Sequence, residues 1–313
     1  VVSESLYTSQ AKVLQRSFQG SIGELVSDIC KKDLKIKEPT INTDTKMIIK
    51  GVYPTIRPLH AINWLLKNAF DNGTPYFCFE TCQTGLQFNS LENLYEQDVY
   101  EEYEFIPYYD QDVGTAGAYN EQRKRIQGFG SPFNMGKLGQ VGSGAYASTL
   151  HTLDIAKKKY EKTFFNYDSK TPKKISKNKP FSDNHKILDR KLSDLKEGKN
   201  FYVNLNSGAF ADYNNYHDPL NTTILTSESH LQNMGFNTHQ IELNGDFGLS
   251  VGAKVKMKTI KPTTIEDADL PPVMIDKYMS GEYLVTRIDH RFDDFYKMVV
   301  TIQRDSVEEN IDA

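Results

Sequence analysis

The sequence predicts an α+β protein: a compact α+β unit followed by a small β-barrel that an insertion splits in two. Three observations carry that prediction. Ser21 and Glu24 form a capping box ahead of an apolar run. From Thr238 onward, long segments alternate apolar and polar residues between turn signals. The chain also holds 18 Tyr and 17 Phe against a single Trp, and such rings suit pleated sheet surfaces.

Taken in order, Val1 to Phe18 is expected as one or two extended pieces. Ile22, Leu25, Val26 and Ile29 then place one apolar stripe on a helix from about Ile22 to Lys32. Met47-Ile48-Ile49 gives a short strand after Pro39. A second helix starts near Arg57-Pro58, where proline fits the first turn, and Asp71-Asn72-Gly73 stops it. Tyr76 to Glu80 and Leu86 to Phe88 form two strands around the turn at Gln83-Thr84-Gly85, with a short helix after Ser90.

A different regime begins at Tyr100. The strand-like run Ala145 to Leu153 follows a Gly-rich stretch, Gly128 to Gly144, and Thr171 to Asn215 lacks periodicity and reads as an irregular insertion. A third helix spans Asn221 to about Met234. Thr238 to Leu243, Leu249 to Met257, Glu282 to His290 and Tyr296 to Asp305 are the strands of the barrel.

Charge is unevenly spread over a net of -4. Between Asn68 and Gln122 there are eleven acidic residues and no Lys or Arg, whereas Lys157 to Lys199 holds fourteen Lys/Arg against six Asp/Glu. Opposite fields on one chain favour ordered contacts between copies. No apolar run reaches the ~20 residues needed to span a bilayer, so no stable membrane insertion is expected. Val1-Val2-Ser3 opens the chain without a signal pattern. Cys30, Cys78 and Cys82 are too few for a disulfide scaffold and lack the partners of a zinc site, so reduced thiols are expected.

Three C-terminal stretches carry a recognisable pattern. "LNGDFGLSVGAKVKM" (Leu243 to Met257), "DKYMSGEYLVTRIDHRF" (Asp276 to Phe292) and "YKMVVTIQRDS" (Tyr296 to Ser306) resemble the baseplate hub subunits of contractile-tailed bacteriophages. The pattern is a Gly-x-x-Val strand, then Ser-Gly-x-Tyr-Leu-Val-Thr with a His further along the strand, then Arg-Asp-Ser. Upstream, "SFQGSIGELVSDIC", "RPLHAINWLLKNAF" and "PYFCFETCQTGLQFNSLENL" resemble the wall domain of that family, and "GQVGSGAYASTLHTLDIAKKKY" resembles its next tube strand. The matches run in the same order over roughly Ser17 to Ser306, the loop Thr171 to Asn215 excepted.

The resemblance implies a tube domain, a small β-barrel related to those of late-control tail proteins and type VI secretion spikes. The expected divisions are residues 1–16 as the end of an N-terminal tube domain and 17–103 as the α+β wall domain. Residues 104–167 and 233–306 are the two parts of the second tube barrel, 168–232 the insertion and 307–313 a tail. A full family member carries a complete first tube domain before the helix at Ser21, so that domain is expected to be truncated or lost. If lost, three copies cannot make a six-barrel ring.

What the resemblance implies about function is structural: a homotrimeric ring that joins the tail tube, or a tube-initiator protein, to the central spike. The ring touches other baseplate proteins, sits in the virion after assembly in the host cytoplasm, and encloses DNA without binding it specifically. No cofactor is implied. A channel for DNA works best with a wall that repels phosphate, which makes Glu242, Asp246, Glu282 and Asp289 the lumen-facing candidates. Lys173, Lys174 and Lys177 of the basic segment are the candidates for docking acidic baseplate neighbours.

Catalytic patterns are absent. Gly142-Ser143-Gly144 lacks the spacing of a serine elbow and is expected as a loop, no phosphate-binding glycine loop is complete, and the histidines form no H-E-x-x-H. His151 and Asp154 in a strand point to opposite faces. The rival readings are a muralytic glycosidase, which needs only two placed carboxylates, and a glycan-binding or receptor-binding module, which calls for an exposed aromatic patch around Tyr100 to Tyr109.

Overall fold

The computed structural model describes residues 2–69, 73–105, 123–130, 136–155, 157–168, 174–176, 186–187, 189–195, 198–205, 217–260 and 275–308. The fold is mixed α+β with strands predominating. It divides into two units, one of residues 1–93, 139–172 and 187–232, the other of residues 94–138, 173–186 and 233–313.

In the first unit, helix α1 (Glu4–Gln10) precedes strand β1 (Ser17–Ser21) and helix α2 (Ile22–Lys32). The extended start expected for Val1 to Phe18 is therefore corrected. Ser3 caps α1 by accepting from the Leu6 N–H, and the buried side of the helix is serine rather than apolar. Ser5 donates to Glu80 at 2.6 Å, and the Leu59 N–H donates to Ser9 at 3.1 Å. A stripe of buried hydroxyls leaves no hydrophobic period to read.

Helix α2 begins where the sequence puts it. Both halves of the Ser21/Glu24 capping box are made, and Asp44 accepts from the Gly23 N–H at 2.7 Å. A Cβ on Gly23 would stand 2.5 Å from the Asp44 carboxylate, so this approach requires glycine. Strands β2 (Thr40–Ile41) and β3 (Ile48–Val52) follow, then helix α3 (Pro58–Leu66) with proline in its first turn, and strands β4 (Tyr76–Thr81) and β5 (Gly85–Ser90). Helix α4 (Leu91–Glu96) comes next. β1 pairs with β3, while β5 lies between β2 and β4. Ile22, Val26, Ile29, Leu65 and Phe88 form an apolar core with no exposure to speak of.

The same unit holds a three-stranded sheet in the order β12-β8-β9, from β8 (Ala147–Asp154), β9 (Lys159–Asn166) and β12 (Asn200–Leu205). The expected barrel segment 104–167 thus sends its last two strands into a separate sheet. β12 lies inside the stretch expected to be irregular, as do the two-residue strands β10 (Lys186–Ile187) and β11 (Arg190–Lys191): Phe201-Tyr202-Val203 is too short a β signal to stand out alone. Helix α5 (Gly136–Ser143) replaces the loop expected at Gly142-Ser143, and Gly144, at φ +87°, ends it. The last helix, α6, covers His217–Met234.

The second unit is one six-stranded sheet in the order β6-β14-β15-β16-β13-β7. Its strands are β6 (Val99–Phe105), β7 (Gly128–Gly130), β13 (Asn237–Asn244), β14 (Lys254–Thr259), β15 (Gly281–Phe292) and β16 (Tyr296–Arg304). β14 starts later than expected, because Leu249 to Ala253 turns instead of extending, with Gly252 at φ +87° donating its N–H to Val285. The sheet curls into a half-barrel, and the segment leading into β7 bonds both the β6 edge and β13. Ile126 N–H donates to Glu104 of β6 at 3.0 Å, and Gln127 N–H donates to Glu242 of β13 at 2.8 Å. Edge groups that would otherwise invite foreign strands are thereby occupied at this end. Leu243, Met257, Tyr283, Met298, Val300 and Ile302 fill the interior.

Candidate assembly surface of the rolled sheet

The residues that carry the sequence pattern meet at one buried point. The Arg304 guanidinium, fully buried, donates to the carbonyls of Ser280, at 2.8 Å, and Tyr278, and lies 4.6 Å over the Tyr283 ring. Gly281, at φ +136°, sits so close that a Cβ would be 2.7 Å from Arg304 Nη1. Ser-Gly-x-Tyr and Arg-Asp-Ser are thus two halves of one clamp between the start of β15 and the end of β16. A charge this deep is costly unless its hydrogen-bonding groups are met; here Nη1 and Nη2 have carbonyl partners and Nε has none among the described residues.

The clamp extends through Asp305 and Ser306. Asp305 accepts from the Ile175 N–H at 3.0 Å and from the Ser306 hydroxyl at 2.8 Å, and Ser306 Oγ accepts from the Ser176 N–H at 2.8 Å. Burial pushes the Asp305 carboxyl up to about 6 despite these hydrogen bonds. His239 also meets Tyr283, its ring 5.7 Å away and 5.0 Å from Phe129. Burial, with help from Arg304, pulls His239 down to about 4, so it is neutral at physiological pH. A pattern reading of single strands has no means of finding this column.

The outward face is a lattice of opposite charges. Glu282, Lys256 and Glu102 fall in one row across β15, β14 and β6, and Glu242, Val299 and Asp289 in another across β13, β16 and β15. Glu242 pairs with Lys297 at 3.2 Å, Glu282 with Lys254 at 3.2 Å and Asp289 with Arg287 at 3.0 Å. Asp246, in the turn after β13, accepts from the Tyr100 hydroxyl at 3.1 Å and lies 3.8 Å from Arg123. Glu102 bonds Lys258, which holds its carboxyl below the ordinary range. The four lumen candidates therefore share their sheet with matching cations, and the face is mixed rather than plainly acidic.

One end of the sheet is aromatic. Tyr296 packs against both Phe292, at 4.6 Å and 7°, and Phe247, at 4.6 Å and 27°, and those two rings lie 6.2 Å from each other. The Tyr296 ring covers Gly245, where a Cβ would collide with it, and its hydroxyl bonds His290 Nδ1 at 2.8 Å. Phe247, Phe292 and Phe295 are 66, 64 and 76% exposed. Three large rings left open together are the usual mark of a contact surface.

The other candidates scatter. Lys174 is half-buried and adds a favourable charge beside Asp305, while Lys173 and Lys177 lie outside the described residues. In the patch expected at Tyr100 to Tyr109, Tyr100 is exposed and Tyr103 buried, and residues 106–109 lie outside the described residues. Burial drives Cys30 and Cys78 up to about 12, and Cys82 is exposed. Among the described residues, no three His, Cys, Asp or Glu side chains gather as a metal site, and no helix is long and apolar enough to cross a membrane.

No family model and no curated protein matches the chain. Solved structures with some likeness include the tail protein from Neisseria meningitidis MC58, at 8% identity and a TM-score of 0.49, covering 96% of this chain and 72% of that one. The 43 kDa tail protein of prophage MuSo2 from Shewanella oneidensis aligns at 9% identity and a TM-score of 0.48, over 97% and 71% of the two chains. A prophage tail protein from Listeria monocytogenes aligns at 10% and 0.40, over 96% and 70%.

Proposed function

We propose that this chain is a structural subunit of a phage tail baseplate hub. One observation carries the reading: the two most telling pieces of the sequence pattern, Ser280-Gly281-x-Tyr283 and Arg304-Asp305-Ser306, close on each other in a single buried clamp. A pattern shared by chance has no reason to be physically coupled. The clamp fixes the end of a rolled sheet whose interior is filled by side chains, so the sheet offers a rigid outer surface.

The hub reading gives each surface a task. Three copies form a ring joining the tail tube, or its initiator, to the central spike within the virion. Glu242, Glu282 and Asp289 lie on the wall that passing DNA meets, and Asp246 at its rim. Their paired charges leave that wall too balanced to hold phosphate, so it neither grips the strand nor strongly repels it. The Phe247, Phe292 and Phe295 end stacks on the next ring of the tail, and Lys173, Lys174 and Lys177 dock acidic baseplate neighbours. The work is geometric: no cofactor and no enzymatic step is invoked.

Mass photometry of the purified full chain tests the reading. A dominant species at three times the 35.7 kDa chain mass is expected. Phe292→Ser should leave that trimer intact and abolish its stacking on tail tube protein. A chain that stays monomeric at every accessible concentration contradicts the proposal.

A further inference from the structure

The hub reading gives no task to the outward face of the β12-β8-β9 sheet, yet that face is pre-arranged. The opposite side is the packed one, with Ser148, Leu150, Thr152 and Phe165 buried. Strand alternation then sends His151, Tyr160, Lys162, Phe164, Asn200 and Tyr202 outward together. His151 is in register with Tyr202 on one neighbouring strand and Lys162 on the other.

The rings are held, not loose. Tyr202 lies parallel to His151 at 4.7 Å and 13°, and Tyr160, on the other neighbouring strand, stands 6.0 Å away at 30°. Asn200 Oδ1, 3.2 Å from His151 Nε2, can only accept, so Nε2 carries the proton. Nδ1 then accepts from the Tyr160 hydroxyl at 2.5 Å. Despite this order, Tyr202 is 76% and Tyr160 61% exposed. Ordering before contact lowers what binding must spend in side-chain entropy.

The charge of the face selects its occupant. At the described outward positions of the three strands there is one ionised side chain, Lys162, and no Asp or Glu. A nucleic acid strand laid across them would bring several phosphates to a single ammonium, which single-strand binding surfaces avoid. A protein partner would call for a broader apolar core, and beside the rings the exposed aliphatic side chains here are Leu153 and, just past the end of β8, Ile155. What remains is a near-neutral surface of flat rings edged by amides and hydroxyls. Sugar rings are complementary to it, with C–H faces that lie on aromatic rings and hydroxyls that bond to uncharged rims.

We propose that this face binds a neutral polysaccharide chain, with pyranose rings against Tyr202 and Tyr160 and sugar hydroxyls on Asn200 and the tyrosine hydroxyls. Titration of the full chain with chitohexaose, a soluble β-glucan and a soluble α-glucan is the test. At least one should bind, about tenfold more weakly to Tyr202→Ala, with affinity kept by Tyr202→Trp and by the remote exposed variant Tyr7→Ala. Thermal unfolding of each variant should match the wild type, since Tyr202 and Tyr7 are both more than three-quarters exposed. Three results overturn the proposal: no neutral saccharide binds, an oligothymidine binds instead through Tyr202, or Tyr202→Ala acts by dissolving a self-associated species.

Discussion

The N-terminal α+β core and the rolled sheet are stabilised by different means. Around α2 and α3 the buried side chains are mainly apolar, and the helix ends are closed both locally, as by Ser21 with Glu24, and by single distant side chains, as by Asp44 and Ser9. In the rolled sheet the core admits Arg304, Asp305 and His239, and their partners come from elsewhere in the chain. Ile175 reaches Asp305 across 130 positions. The first core is a matter of hydrophobic area; the second adds a polar network that is costly unless complete. The difference teaches where each region is vulnerable.

The largest effect is expected from breaking that network. Arg304→Met leaves the Tyr278 and Ser280 carbonyls unpaired in the interior and should cost about 3–5 kcal/mol. Hydrogen exchange over β15 and β16 would register the loss. An equal loss of protection over α2 and α3 would erase the contrast between the cores.

Next comes pH. The folded Asp305 carboxyl titrates near 6 against an ordinary value of 3.8, so its contribution is full below about pH 4 and lost as pH rises through about 6. His239 and His230 run the other way: burial pulls both to about 4, so their contribution is present above the ordinary 6.5 and is lost as pH falls through about 4. Asp305→Asn should therefore gain roughly 2 kcal/mol relative to wild type between pH 4 and pH 7. Urea unfolding at the two pH values measures it, and a flat difference would deny the buried carboxyl its role.

A smaller effect is expected in the first core. Ser21→Ala removes the cap of α2 and should cost about 1 kcal/mol, read from the fluorescence of the single tryptophan, Trp64, during unfolding. The smallest is on the charged lattice. Glu242→Gln breaks a half-exposed pair with Lys297 and should shift stability by no more than ~0.5 kcal/mol. A large loss there would make the lattice a part of the folding machinery rather than of the surface.

Legibility in the sequence followed the same divide. The capping box, the proline start of α3 and the β15–β16 pair were readable because their signals lie within a few residues. Helix α1 was not, since its buried face is serine, and β12 was not, since its partner β8 lies some fifty positions upstream. The cations that pair with Glu242 and Glu282 sit on neighbouring strands and stay invisible until register is known, whereas Arg287 stands two residues before Asp289 in the same strand. The clamp shows the same limit: Gly281 and Arg304 were each visible as motif letters, and their contact was not. The aromatic faces escaped too, because exposure of a ring depends on which side of the sheet is covered.

Electron cryo-microscopy of the purified full chain is the most direct measurement of the central claim. A closed ring of rolled sheets is expected, with the strands bearing Glu242, Glu282 and Asp289 on its inner wall. An isolated particle, or a ring whose opening is lined by other elements, would contradict it.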